Sequence, residues 1–320
     1  MIASGLPFDD IRNLIRLLPE AEERARDEVR SKMTRLDPDG SLGRLSDYVG
    51  WLAAWQGKTK PTILRPLMAV FASSHDLSPM PPAAIKQRMA QLSDGGGAVN
   101  QVCASFDAGL KVFDLAIDLP TKNIAQDAAM DEKACAATIA FGMEAIAGGT
   151  DLLCLSALGQ GSDLPATAIL AALLGDEWPP STNAAEHISI AAALDLHRTH
   201  LDDPLEILRR LGGRDIAALA GAIVAARMER LPVVLDGLAA IAAAAVLHRL
   251  ESGAADHCLI GQSLANPMQG SISNAFGLRP VLDFGMHHAD GTGAVLAMGV
   301  VKTGLACYSG MTPVAELVLN

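Results

Sequence analysis

The sequence predicts an α/β fold: a doubly wound, mainly parallel sheet with helices on both faces, plus a small helical domain from the terminal parts. Three observations carry this. From Pro66 onward, short apolar runs alternate with helix-length segments, and each connection is too long for a hairpin, which leaves parallel crossovers. Half of the residues are hydrophobic but only 4% are aromatic, so the core is built from Ala, Leu, Val, Ile and Met, as suits helices packed closely on a sheet. The length, 320 residues, gives room for one large core with a small satellite. The expected division is a small helical domain of residues 1–65 with 303–320, and a large α/β domain of residues 66–302.

Residues 8–35 place charged and apolar positions at helical spacing, with Pro19 opening a second helix along EAEERARDEVRSKM. Ser46 to Gln56 is a further helix carrying Trp51 and Trp55 on one face, which reads as a core or dimer contact. Strands are expected at Leu67–Ala72, Lys111–Ile117, Asp151–Leu158, Pro232–Asp236, His257–Gly261 and Val281–Met286. Between them, helices are expected within Pro79–Gln91, from the Gly95–Gly97 run to Phe106, and over Asp131–Gly148, Leu164–Leu174, Ala184–His200, Pro204–Leu211 and Arg214–Arg230. Two more follow Gly237 and cover Ala294–Cys307.

Acidic residues outnumber basic ones by 36 to 25, so no basic surplus is available to neutralise a nucleic-acid backbone. The longest alanine-rich apolar stretch, Leu238 to Leu247, is about half the length that spans a bilayer, and the N-terminus lacks a basic start before an apolar run. A cytoplasmic protein with no nucleic-acid and no membrane partner is expected. Five cysteines without a C-x-x-C pair read as buried reduced thiols.

In an open parallel sheet, ligands bind beyond the carboxyl ends of the strands. Those ends are Ser73–Asp76, Ala157–Asp163, Asp236 with Gly237, and His287–Gly293. The last packs His287, His288, Asp290 and two glycines into one turn between a strand and an apolar helix. Two of the turns, GQGSD and DGTGA, can cradle a phosphate through their amides, although a glycine at a tight turn is needed for geometry whether or not anything binds. Adjacent histidines on extended chain point to opposite faces, so a metal is not expected. Without a G-x-S-x-G elbow, Ser156 and Ser162 read as turn or capping serines.

SLGRL at Ser41–Leu45, GGAVN at Gly96–Asn100, AFGMEAIAGG at Ala140–Gly149, DPLEILRRLGG at Asp203–Gly213, PVVLDG at Pro232–Gly237, DHCL at Asp256–Leu259 and GTGA at Gly291–Ala294 resemble the nicotinate-nucleotide:dimethylbenzimidazole phosphoribosyltransferase family, in order and spacing over nearly the whole chain. The resemblance implies a homodimer that needs no metal or other cofactor. It implies a reaction moving phosphoribose from nicotinate mononucleotide to a benzimidazole, giving α-ribazole phosphate for the lower ligand of cobalamin; the ligands are thus a small-molecule nucleotide and an aromatic base. It makes Asp290 the catalytic base and Ser74, His75, Gly159, Gly161, Ser162, His187, Asp236, His287, His288, Gly291, Thr292 and Gly293 the substrate-binding set.

At those positions the chain departs from the family's pattern. The family's glutamate base is Asp290 here, one methylene or roughly 1.5 Å shorter, and the arginine, leucine and glycine ahead of it are His287, His288 and Ala289. The loop G-E-M-G-I-G-N-T-T reads Ser156 to Leu164, so its glutamate is Ala157, and its asparagine and first threonine are Ser162 and Asp163. The glycine-rich phosphate loop is missing from DEWPPSTN, and its following lysine is His187. H-x-S-A-E reads Gln262 to Asn266, and of A-D-H-G only His75 is kept. Asp163 adds a negative charge where a phosphate would sit, and His187, with a reference value of about 6.5, holds no permanent charge. Phosphoribosyl transfer with altered or weakened activity is therefore expected, against a catalytically inactive paralogue that binds a nucleotide or azole or pairs with an active subunit.

Overall fold

The structure, a computed structural model, describes residues 6–78, 80–158, 160–175, 184–264, 268–277, 279–286 and 290–313. Three helices come first: α1 (Pro7–Ile15), α2 (Glu23–Leu36) and α3 (Arg44–Gln56). Then follow β1 (Pro66–Ala72), α4 (Pro82–Ser93), α5 (Ala98–Ser105), β2 (Gly109–Asp114), α6 (Glu132–Met143), β3 (Leu152–Ala157), α7 (Asp163–Leu174), α8 (Ala184–His197), α9 (Pro204–Leu211), α10 (Arg214–Met228), β4 (Val233–Asp236), α11 (Gly237–Leu250), β5 (Cys258–Gln262), α12 (Met268–Phe276), β6 (Pro280–Leu282) and α13 (Thr292–Gly310).

The six strands form one parallel sheet in the order β2-β1-β3-β4-β5-β6. The chain winds one way from β1 to β2, then crosses back to β3 and continues the other way, so the switch in direction lies between β1 and β3. Successive side chains alternate between faces. Ala69, Phe71, Leu153, Leu155, Val233 and Leu235 join the core under α6, α7, α10 and α11. Met68, Val70, Leu152, Cys154 and Val234 join the core under α5 and α13. Strands buried on both faces read as continuous apolar runs, which is why they are visible in the sequence.

The scarcity of aromatic residues has a structural counterpart where α6 crosses α10. A Cβ on Gly142 would lie 1.9 Å from the Ala218 carbonyl oxygen, and one on Gly221 would lie 1.9 Å from the Ile139 carbonyl oxygen. The two glycines thus let the backbones touch. Val29, Met33, Leu36, Val49, Ala53 and Tyr308 form a separate small core between α2, α3 and the end of α13, while Phe8 and Ile15 of α1 join the large one.

Four differences from the sequence reading have physical reasons. The last strand ends at Leu282, not Met286: it is an edge strand, Phe284 is 65% exposed, and Gly285 turns left-handed at φ +63°. Strand β2 is shifted toward the N-terminus and stops before Ala116, whose φ of +56° breaks the run. Helix α2 starts at Glu23 rather than beside Pro19. Helix α12 has no counterpart in the sequence reading, its apolar period being too weak.

Trp55 is buried within the chain, edge-on to His257 at 5.7 Å and under the Arg227 guanidinium at 4.1 Å, so it serves the core rather than an outer face. Among the described residues α13 is the one helix long and apolar enough to cross a membrane, but its Ala294, Val295, Ala297, Met298 and Val301 are fully buried against the sheet, as in a core helix. All five cysteines are unpaired and four are buried; burial pushes the Cys103 thiol up to about 11, with the charge of Asp290 adding to it.

Candidate active site

Beyond β1 the chain stays extended through Ser73, Ser74 and His75, and His75 pairs with Thr121 in a parallel bridge. The Thr121 N–H donates to Ser74 O and the Asp76 N–H to Thr121 O, both at 2.9 Å. The Ser74 hydroxyl donates to Ile117 O at 2.6 Å, so it ties the loop down. His75 is 4% exposed. Its Nε2 lies 3.1 Å from Asp215 Oδ2 and 3.3 Å from Ser73 Oγ, and its Nδ1 lies 3.1 Å from Thr121 Oγ1.

Asp215 stands in the first turn of α10. Burial drives its carboxyl up, but the charge and hydrogen bond of His75, with the Ser162 hydroxyl and the Ile216 N–H, outweigh burial and hold the group below its ordinary value. Ser162 donates to Asp215 Oδ2 from the turn after β3. A Cβ on Gly161, in that turn, would lie 3.2 Å from Ser78 Oγ and 3.8 Å from the His75 ring. His75, Gly161 and Ser162 therefore meet at the point between β1 and β3 where the winding direction changes, the place where this class of sheet binds ligands.

That turn is acidic. Asp163 opens α7, and its carboxyl is pushed up to about 6, first by burial and then by the charges of Glu186 and Asp215. Glu186 and His187 occupy the first turn of α8, which packs on α7. The charges of Glu186 and Asp215 thus both act on Asp163, two residues after Gly161.

One strand over, Asp236 ends β4 in register with Ser156 of β3. Its Oδ2 accepts from Gly291 N–H at 3.0 Å and Gly293 N–H at 3.1 Å, and so binds the open N-terminus of α13. Its carboxyl is nevertheless pushed up to about 7, by burial and then by the charge of Asp290, against the pull of the amides. Asp290 Oδ1 accepts from Thr292 N–H at 3.0 Å. Gly291 has φ +96°, and a Cβ there would lie 2.6 Å from Met68 Cε, so the turn sits against β1 as well. The Asp290 and Gly161 turns consequently border the same central strands, β1, β3 and β4.

Gly159, His287 and His288 lie outside the described residues. Asp215, Thr121 and Glu186 are site neighbours that the sequence does not single out. Asp215 reads there as the ordinary acidic start of an alanine-rich helix, and its one signal is its place two residues after RLGG.

A family model described as DBI_PRT, phosphoribosyltransferase, matches residues 18–317. The nicotinate-nucleotide–dimethylbenzimidazole phosphoribosyltransferase of Brucella anthropi is 50% identical over 327 residues, covering 97% of this chain and 96% of that protein. The chain belongs to this phosphoribosyltransferase family. The protein of the same name from Rhizobium leguminosarum bv. trifolii is 49% identical over 332 residues, covering 99% of this chain and 98% of its own. The crystal structure of the phosphoribosyltransferase of that name from Thermus thermophilus has a TM-score of 0.81 at 30% identity, over 91% of this chain and 97% of the other. These likenesses run the length of the chain and include the α/β architecture.

Proposed function

We propose that the protein is a phosphoribosyltransferase whose reaction is the transfer of phosphoribose from nicotinate mononucleotide to dimethylbenzimidazole, in the making of the lower ligand of cobalamin, at altered or weakened rate. The family and the names of its relatives support the reaction. The single observation that carries the weakening is the acidic turn: the charges of Glu186 and Asp215 both act on Asp163, and in this reading that turn faces the donor's phosphate. In this reading Asp290 takes the proton of the azole, and His75, Gly161, Ser162, His187, Asp236, Gly291, Thr292 and Gly293, with Ser74, Gly159, His287 and His288, bind the substrates. A base about 1 Å out of place can lose on the order of a hundredfold in rate.

The division into a small helical unit, residues 1–65 with 303–320, and a large one belongs to the same proposal, supported by the separate core around Val29 and Tyr308. So do a cytoplasmic location, supported by five unpaired cysteines, and a homodimer, supported by Ile188 and Leu196 exposed on α8. The test is release of nicotinate and appearance of α-ribazole phosphate, followed by chromatography. Turnover at about 1 per second or faster would show that the departures are tolerated. Binding of both substrates with no turnover would instead favour the inactive paralogue.

A further inference from the structure

The stretch DPLEILRRLGG ends on a glycine whose missing side chain is replaced by a ring from another loop. A Cβ on Gly213 would lie 2.1 Å from His75 Cε1, 2.7 Å from its Nδ1 and 2.9 Å from Asp215 Oδ1, so the imidazole fills the place of a side chain there. Two residues on, the buried Asp215 faces the loops after two different strands. Its Oδ2 lies 3.1 Å from His75 Nε2, after β1, and accepts from the Ser162 hydroxyl, after β3. Its own N–H donates to Ser73 Oγ at 3.4 Å, and its Oδ1 accepts from the Ile216 N–H at 2.9 Å. Ser73, His75 and Ser162 are buried as well, so water does not weaken these contacts.

These donors hold Asp215 ionised. An ionised carboxylate only accepts, which fixes the direction of both protons: His75 Nε2–H and the Ser162 O–H point at Asp215. Thr121 Oγ1 occupies the other ring nitrogen at 3.1 Å. His75 therefore has no nitrogen left for a substrate and meets the site through its ring edge, the Cδ2 side that faces Gly161. Ser162 likewise gives its proton inward, which leaves the backbone of its turn to receive an anion. Resting on the phosphoribosyltransferase reading, we propose that Asp215 is a positioning residue of the donor subsite: by joining His75 to Ser162 across the switch between β1 and β3, it holds the two loops in the arrangement that receives the mononucleotide. The Asp290 turn, which meets the azole in the same reading, is held separately by Asp236.

Titration calorimetry on the full chain with nicotinate mononucleotide and dimethylbenzimidazole tests this. Asp215→Asn keeps the shape but places a donor amide where two protons converge. It weakens mononucleotide binding by about tenfold, the scale of one lost hydrogen bond to a charged group, and leaves dimethylbenzimidazole binding within about twofold. Ser162→Ala gives the same split, and the double variant loses no more than about tenfold, because both changes open one clasp. Should Asp215→Asn not fold, Ser162→Ala, which leaves His75 on Asp215, carries the same expectation for the two ligands. Tighter mononucleotide binding by Asp215→Asn overturns the inference, since the residue would then act only as a charge that repels phosphate. Equal losses for both ligands overturn it by showing general support of the fold, and a loss of about a hundredfold in the double variant does so by showing two independent contacts. Where the wild type binds both ligands and the variants bind like it, the inference falls and the family reading stands. Where the wild type fails to bind either one, the transfer reading falls and the inference with it.

Discussion

Asp163 shows how one carboxyl alters what a turn can hold. At the N-terminus of α7 a negative charge is ordinarily favoured by about 0.3–1 kcal/mol, yet the group is pushed up to about 6 because burial, Glu186 and Asp215 outweigh that gain. Its folded value lies above the ordinary 3.8, so the fold loses stability as pH rises from about 4 to about 6 and carries the whole penalty above that. Asp163→Asn is therefore expected to melt about 2–4 °C above wild type at pH 7.5, with the difference vanishing near pH 4; calorimetric scans across that range check it. Glu206 has the opposite sign. Burial raises it, but the hydrogen bonds and charges of Arg209 and Arg210 prevail and bring it down to about 2. Its contribution is present above the ordinary value of 4.5 and is lost as pH falls toward 2. Glu206→Gln should accordingly lower the melting temperature at pH 7 and converge on wild type in strong acid.

At the scale of elements, the crossing of α6 on α10 is the most exacting contact, because the obstacle to a side chain is backbone on both sides. Gly142→Ala or Gly221→Ala must push the helices apart and is expected to destabilise by about 3 kcal/mol, read as a lower urea midpoint at unchanged slope. Most elements are legible in the sequence for a simple reason: strands covered on both faces are short apolar runs, and the connecting helices are bounded by Gly, Pro and acidic first turns. Strand β6 is overextended in the sequence reading because an exposed edge leaves no period, and Val281 to Met286 includes apolar residues that the fold leaves outside. The strand-end loops of the site are legible from topology alone. The partnership of His75 with Asp215 is not, since 140 positions separate them and nothing local distinguishes Asp215 from a helix-start acid.

Across the whole molecule, the framework follows the family, and the positions that the sequence reading sets apart from the family's pattern lie at the starts of three helices and the end of one strand: Ala157 ends β3, Asp163 opens α7, His187 lies in the first turn of α8, and Asp290 precedes α13. The Ala157, Asp163 and Asp290 turns border the same central strands and α8 packs on α7, so in the reading proposed above changes at the four positions act on one site. Asp290→Glu alone should therefore recover little of the transfer proposed above: it restores reach, but the phosphate still meets Asp163 and finds no fixed cation at position 187. Adding Ala157→Glu, Asp163→Thr and His187→Lys is expected to raise the rate by more than the product of the four single effects, since groups that act as a unit are strongly non-additive. The measurement is the initial rate of nicotinate release for the wild type, the four single variants and the combined variant at one pH. Rates that multiply independently would show that the four positions do not share a transition state, and the joint site would then have to be redrawn around fewer of them.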